Sequence, residues 1–311
     1  MSDIFFEEMD IPKPDYNLGI GGGSHGNMTG RMIEEIEKIL INEQPDWILV
    51  YGDTNSTLAG AIAASKLHIK IAHIEAGLRS FNMNMPEEIN RILTDRISTI
   101  LFCPTSTAMD NLNVEGVADW KAGKALLSGD VMKDAADFYR QFSKPVIEFA
   151  NKKFVLCTIH RAENTDNEER LSEIMQAIAK VAKDTIVVLP LHPRTKKLLS
   201  SAQINTANIK VIDPVGYFNM VWLLENCKLV MTDSGGLQKE AFFFKKPCIT
   251  LRDETEWVEL IDNGFNVLAG ANKQKILDSY RDFDFSDNYD RNLYGNGSAS
   301  NMIVSELLNA K

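Results

Sequence analysis

Four residues able to take or give a proton stand where an apolar run stops. Asp53 ends WILVYGD, Glu75 ends IKIAHIE, His160 ends FVLCTIH, and His192, with Arg194 two places on, follows TIVVLPL. A fifth, Glu87, lies in MPEEINR, where Pro86 suits a first helical turn because that position needs no backbone donor. Carboxylates and imidazoles gathered in this way are the groups of general acid–base chemistry, and clustered carboxylates raise one another's pKa toward neutrality.

TDSGGLQKEA (232–241) is the more specific signal. An apolar run halts at Ser234-Gly235-Gly236, where glycine lets backbone approach a ligand closely, and the helix expected next offers free N–H groups and a positive dipole end suited to phosphate. Glu240 falls about one turn into that helix, placed to accept hydrogen bonds from ribose hydroxyls.

Each residue also has a plainer reading. Asp53 precedes TNSTLAG and suits a helix cap or the neighbour of one; Arg79 suits a structural ion pair with Glu75; Glu87 and Glu88 at a helix start compensate its dipole, the role expected of Glu88. Arg161 and Arg194 next to the two histidines suggest a cationic wall, and Tyr217, Phe218, Met220, Val221 and Trp222 read as core with a backbone edge able to meet a base.

Elements that would position these groups are legible in the hydrophobic pattern. Apolar runs at 47–53, 69–75, 99–105, 154–160, 185–193, 209–213, 229–235 and 247–253 alternate with amphipathic stretches such as LSEIMQAIAKVA (171–182), whose apolar residues fall at helical spacing. Runs apolar throughout, not alternately, predict strands buried on both faces, hence parallel sheets covered by helices in two doubly wound α/β domains. In such sheets ligands bind at the carboxyl ends of the strands, where the residues above fall. The interdomain crossing is expected in 130–153, giving domains over 1–143 and 144–291 with the last helix, 292–311, packing back on the first. GIGGGSHGNM (19–28) lacks the dinucleotide-binding spacing and reads as a loop.

Across 311 residues, 44% are hydrophobic and the formal net charge is −10, which argues against nucleic acid as partner. There is no apolar run of membrane length and no signal-peptide pattern at MSDIFFEEMD, so the cytoplasm is the expected location. Cys103, Cys157, Cys227 and Cys248 lack metal-ligand spacing and read as reduced core residues.

GDTNSTLAG, HIEAGLRSFNMNMPEEINR, TIHRAENTD, LHPRTKK and TDSGGLQKEA, in this order, resemble the non-hydrolysing UDP-N-acetylglucosamine 2-epimerase family. RAENTD and RDETEWVEL look closer to the branch acting on UDP-2,3-diacetamido-2,3-dideoxyglucuronate. The resemblance implies two Rossmann-like domains of the glycosyltransferase-B type with a cleft between them. It also implies inversion at C2 by anti elimination of UDP and re-addition to the other face.

Carried over position by position, Asp53, Glu75, Glu87 and His160 match the catalytic set. Arg79, His192, Arg194, Ser234, Gly235, Gly236 and Glu240 match the substrate and UDP contacts. No metal or other cofactor is implied, and the expected partners are the UDP-sugar and a second copy of the chain, with no membrane.

Two departures stand out. His160-Arg161-Ala162-Glu163-Asn164 replaces the H-R-R-E-N of UDP-GlcNAc enzymes, and the strand and G-A-R-P-type loop that open the family are not found in these residues. A sugar transferase of the same fold, or a fragment that binds nucleotide sugar without turnover, are the competing expectations.

Overall fold

A computed structural model describes residues 6, 8–120, 123–191 and 209–310. Among them, β1 (Trp47–Tyr51), β2 (Lys70–Ile74), β3 (Ile100–Cys103) and β4 (Lys124–Leu127) form one sheet in that order, every pair parallel. A second sheet contains β5 (Phe154–Thr158), β6 (Ile186–Pro190), β7 (Lys210–Ile212), β8 (Leu229–Thr232), β9 (Cys248–Thr250) and β10 (Asn266–Leu268). Its order is β10-β9-β8-β5-β6-β7, again wholly parallel. That order reverses between β5 and β8, the switch point at which doubly wound sheets bind ligands. In the first sheet the described strands run in chain order, so the reversal belongs to the second.

The chain divides into two compact units, Pro14–Asp134 with Asn292–Lys311, and Met1–Lys13 with Ala135–Arg291. Residues past the cut at 134/135 pack by their aromatic rings within their own unit. Tyr139 meets Tyr217 edge-on at 5.9 Å, and Phe142 stacks on Phe218 at 5.7 Å.

Continuous apolar runs become strands buried on both faces at Leu229–Thr232, in which all four residues are buried, but not at Trp47–Tyr51, where Val50 is buried and Leu49 and Tyr51 are exposed. Leu171, Ile174, Met175, Ile178 and Val181 line one side of helix Glu168–Val181 and pack with Val155, Cys157, Val187, Leu189 and Met231 of the sheet. Each such side chain contributes about 1.5–3 kcal/mol by leaving water. The helix starts before residue 171 because the Asn167 side chain accepts from the Glu169 and Arg170 amides. In the other unit, Ile303 of helix Ala299–Asn309 is buried with Ala72, Ile74, Ile100 and Phe102.

The glycine-rich turn is shorter than expected, since Ser24 occupies a cap position and helix His25–Glu43 starts inside the 19–28 stretch. All four cysteines are buried and free, and burial pushes the Cys227 and Cys248 thiols up to about 12. Among the described residues no helix is long and apolar enough to cross a membrane.

Candidate active site

Asp53 and Glu75 lie just past β1 and β2, whose last residues, Tyr51 and Ile74, are register partners. Glu75 has left-handed backbone, φ +73°, and its amide and that of Ala76 both donate to the Phe102 carbonyl at 3.1 Å. Gly52 is left-handed as well, φ +63°, and donates to the Ile74 carbonyl at 3.0 Å.

Helix Pro86–Ile97 ties these ends together through one polar face. Arg91 Nη2 donates to Asp53 Oδ2 at 2.6 Å, Asn90 Nδ2 donates to the Asp53 carbonyl at 2.9 Å, and Asp95 Oδ1 lies 2.6 Å from His73 Nδ1. Glu87, half-buried, stands in the first turn of the same helix. Asp53 is the neighbour of a helix cap and not the cap itself, which is Thr54 in a reciprocal pair with Thr57, and the Asp53 carboxylate accepts from Arg91.

Two expectations about this segment change. Arg79 is buried, with Nη1 on Asp95 Oδ2 at 2.7 Å and its Nε and Nη2 on the Glu115 carboxylate at 2.6 and 2.9 Å. Its partners are therefore Asp95 and Glu115, not Glu75, and it acts as a cationic bracket under the loop. Glu88 does more than complement a dipole. It is buried and accepts from the Ser80 and Phe81 amides at 2.9 and 2.8 Å, while Arg91 Nη1 lies 3.0 Å away. Its role is to anchor the 79–82 loop.

At the switch point of the second sheet, His160 follows β5 and Ser234, Gly235 and Gly236 follow β8. Ser234 caps helix Gly235–Phe243, its hydroxyl accepting from the Leu237 amide at 3.4 Å. The Arg161 guanidinium lies beside Gly235, with Nη2 3.7 Å from where a β-carbon would stand. A capped helix start flanked by glycine and arginine is an anion-binding arrangement.

Glu240, one turn in, accepts from the Tyr217 hydroxyl at 3.0 Å. Burial pushes its carboxyl up to about 7, against the Tyr217 hydrogen bond and the Lys239 charge, which lower it. His192 and Arg194 lie outside the described residues.

Asp233 and Glu256 were not singled out from the sequence. Asp233 is buried and accepts from the His160 and Arg161 amides at 3.1 and 3.0 Å and from Asn164 Nδ2 at 3.2 Å, with its Oδ1 3.3 Å from His160 Nδ1. It thus shapes the His160 turn. The rule that picked out Asp53, a carboxylate where a strand stops, applies equally to Asp233. Arg252 Nη1 holds one Glu256 oxygen at 3.0 Å, four residues away, while the other lies against Gly235 of a distant segment, an approach that no spacing announces.

Residues 1–308 match the model of the family described as UDP-N-acetylglucosamine 2-epimerase. The chain belongs to that family. A member from Pseudomonas aeruginosa, UDP-2,3-diacetamido-2,3-dideoxy-D-glucuronate 2-epimerase, is 56% identical over 310 residues, covering 99% of this chain and 87% of the relative. The UDP-N-acetylglucosamine 2-epimerase of Methanocaldococcus jannaschii is 44% identical over 328 residues, 100% of this chain and 88% of the relative.

Among solved structures, the M. jannaschii enzyme in complex with UDP-GlcNAc and UDP superposes with a TM-score of 0.90 over 99% of this chain and 88% of that one. The Neisseria meningitidis enzyme bound to UDP-GlcNAc, 31% identical, gives 0.86 over 99% and 88%. This epimerase-family chain accordingly has the glycosyltransferase-B type of fold, two helix-covered parallel sheets.

Proposed function

We propose that the protein inverts C2 of a UDP-2-acetamido sugar. The C2 proton is removed and the C1–O bond to UDP breaks, leaving a C1–C2 double bond. UDP then re-adds at C1 as a proton is delivered to the opposite face of C2. The observation that carries this reading is the joining of the Asp53 and Glu75 strand ends by helix Pro86–Ile97, in a chain whose relatives are 2-epimerases.

Asp53, Glu75 and Glu87 are the acid–base set for C2, and His160, held by Asp233, completes the catalytic group. Ser234, Gly235 and Gly236 hold the diphosphate at the start of helix Gly235–Phe243, and Glu240 holds the ribose hydroxyls. His192 and Arg194 are carried as substrate contacts on the family motif alone. Arg79 serves the substrate from beneath, through the loop it brackets.

The sugar favoured is the diacetamido-glucuronate, since that relative is 56% identical against 44% for the archaeal UDP-GlcNAc enzyme. The same reading has the chain working in the cytoplasm as a homodimer, an assembly that light scattering of the purified protein tests. The test of function is proton NMR in D2O with each UDP-sugar in a separate tube. Deuterium entering C2 with a manno-configured product supports the reading, and absence of exchange in both tubes overturns it. Glu75→Gln should abolish exchange while UDP still binds.

A further inference from the structure

His73 is fully buried in β2, touches no solvent, and lies beneath the two strand ends that carry Asp53 and Glu75. Its ring nitrogens have one partner each: Nε2 is 2.8 Å from the Gly52 carbonyl and Nδ1 is 2.6 Å from Asp95 Oδ1. A carbonyl oxygen only accepts, so Nε2 carries a proton.

The other oxygen of Asp95 accepts from Arg79 Nη1 at 2.7 Å and from the Gly77 amide at 3.2 Å. A carboxylate paired with a guanidinium and an amide is ionised and accepts at Oδ1 too, so Nδ1 also carries a proton. The ring is an imidazolium with both N–H groups spent.

The charged groups around it agree. Asp95 faces it from helix Pro86–Ile97 and Glu75 from its own strand end, both favouring the cation against the cost of burial, which is the largest effect. Arg79, itself held by Glu115, balances Asp95 from the loop, and Cys103 of β3 lies within electrostatic reach of Asp95.

We infer that His73 is a positioning residue for the C2 chemistry: as a fixed cation it braces the Gly52 carbonyl against Asp95, and so sets where Asp53 and Glu75 stand. Gly52 is the pivot. It is bonded at its carbonyl by His73 and at its amide by Ile74, and it precedes Asp53, while a β-carbon on it would stand 3.3 Å from Glu75 Oε2. Glu75 keeps a left-handed backbone, unfavourable for a non-glycine residue, so the surroundings must impose it. His73 enters no bond-making step. Its kinetic consequence rests on the epimerase reading above; its protonation and its grip on Gly52 do not.

The test uses the full chain labelled with 15N at its five histidines. One ring, missing from the spectrum of His73→Gln, should show two slowly exchanging N–H signals and keep both protons above the ordinary histidine range near 6.5. A ring that titrates near the ordinary value, or that shows a single N–H, overturns the inference, whatever the activity.

In His73→Gln and His73→Asn the amide signals of Gly52, Asp53 and Glu75 should move, and C2 exchange should fall by about 100-fold, as expected for misplaced catalytic groups. UDP affinity should stay within about twofold, because a tenfold loss would require 1.4 kcal/mol at a site His73 does not touch. Unmoved amide signals, or exchange at the wild-type rate, overturn it. If the unaltered chain shows no exchange with either sugar, the epimerase reading fails by itself, and the imidazolium and amide signals still decide the role of His73.

Discussion

The Glu75 carboxylate lies across Gly52, close enough that a β-carbon on Gly52 would sit 3.3 Å from Glu75 Oε2. Gly52 also has φ +63°, so a side chain there is strained by conformation as well as crowded by contact. Gly52→Ala should cost about 1–2 kcal/mol in chemical denaturation, the usual penalty of a left-handed non-glycine residue. It should also slow C2 exchange by displacing Glu75, with UDP affinity unchanged. Full exchange in a stably folded Gly52→Ala protein would show that the Glu75 position is not set by this contact.

The Glu240 carboxyl, at about 7 in the folded chain against 4.5 ordinarily, makes a second, pH-dependent case. A raised carboxyl favours its protonated form, so the stability it contributes is fully present below pH 4.5 and is lost as pH rises through about 7. The loss is on the order of 3 kcal/mol. Gln stands in for the protonated carboxyl and does not titrate, so wild type and Glu240→Gln, followed by urea unfolding, should be closest near pH 5 and diverge toward pH 8 as the wild type loses stability relative to the variant. Ribose hydroxyls donating to this carboxylate favour its ionised form, so UDP binding should release a proton near pH 7 and tighten from pH 6 to 8. Calorimetry in two buffers of different ionisation enthalpy measures that proton. Identical heats in both would remove Glu240 from the ribose contact.

Asp233→Asn should disturb the His160 turn. The wild-type carboxylate accepts from two backbone amides and from Asn164, whereas an amide side chain keeps one acceptor oxygen for these three donors and turns N–H groups toward some of them. A loss of about 1–3 kcal/mol follows from the buried amides left unpaired. Exchange should fall with it, since His160 Nδ1 loses its anionic partner. Thermal unfolding and the D2O assay together check both; an unchanged melting temperature would mean water replaces the missing acceptor.

Apolar periodicity marked strand positions well where runs were long, and eight of them fall on β1–β3 and β5–β9. It missed β4 and β10, because KALL and NVL are too short to stand out from a turn or a helix end; only pairing with β3 and β9 makes them strands. The strand-end rule picked out Asp53, Glu75 and His160, and the structure puts them just past β1, β2 and β5, the ends at which parallel sheets bind ligands.

Partnerships were harder to read. Arg79 with Glu115 and His73 with Gly52 join residues 36 and 21 apart through the packing of separate elements, and charge pattern alone suggested the nearer pair, Arg79 with Glu75. The same limit hid Glu88, whose partners Ser80 and Phe81 precede it in a loop with no periodicity to read.

Gly235 offers the last prediction. A β-carbon there would stand 2.6 Å from Glu256 Oε1, closer than real β-carbons come, so something must shift. Glu256 is buried and its other oxygen is held by Arg252 Nη1 at 3.0 Å, and Arg252 is itself fully buried, so the carboxylate cannot swing aside without breaking that pair. The alternative is displacement of the Ser234–Gly235 turn, which moves the amide groups proposed to hold phosphate. Gly235→Ala should therefore weaken UDP binding by roughly tenfold, about 1.4 kcal/mol. Glu256→Ala, combined with it, removes the obstructing oxygen and should restore much of that loss even though Arg252 loses a partner. Titration calorimetry of the single and double variants decides the point: a double variant no better than the single one would place the obstruction in the turn backbone and not in Glu256.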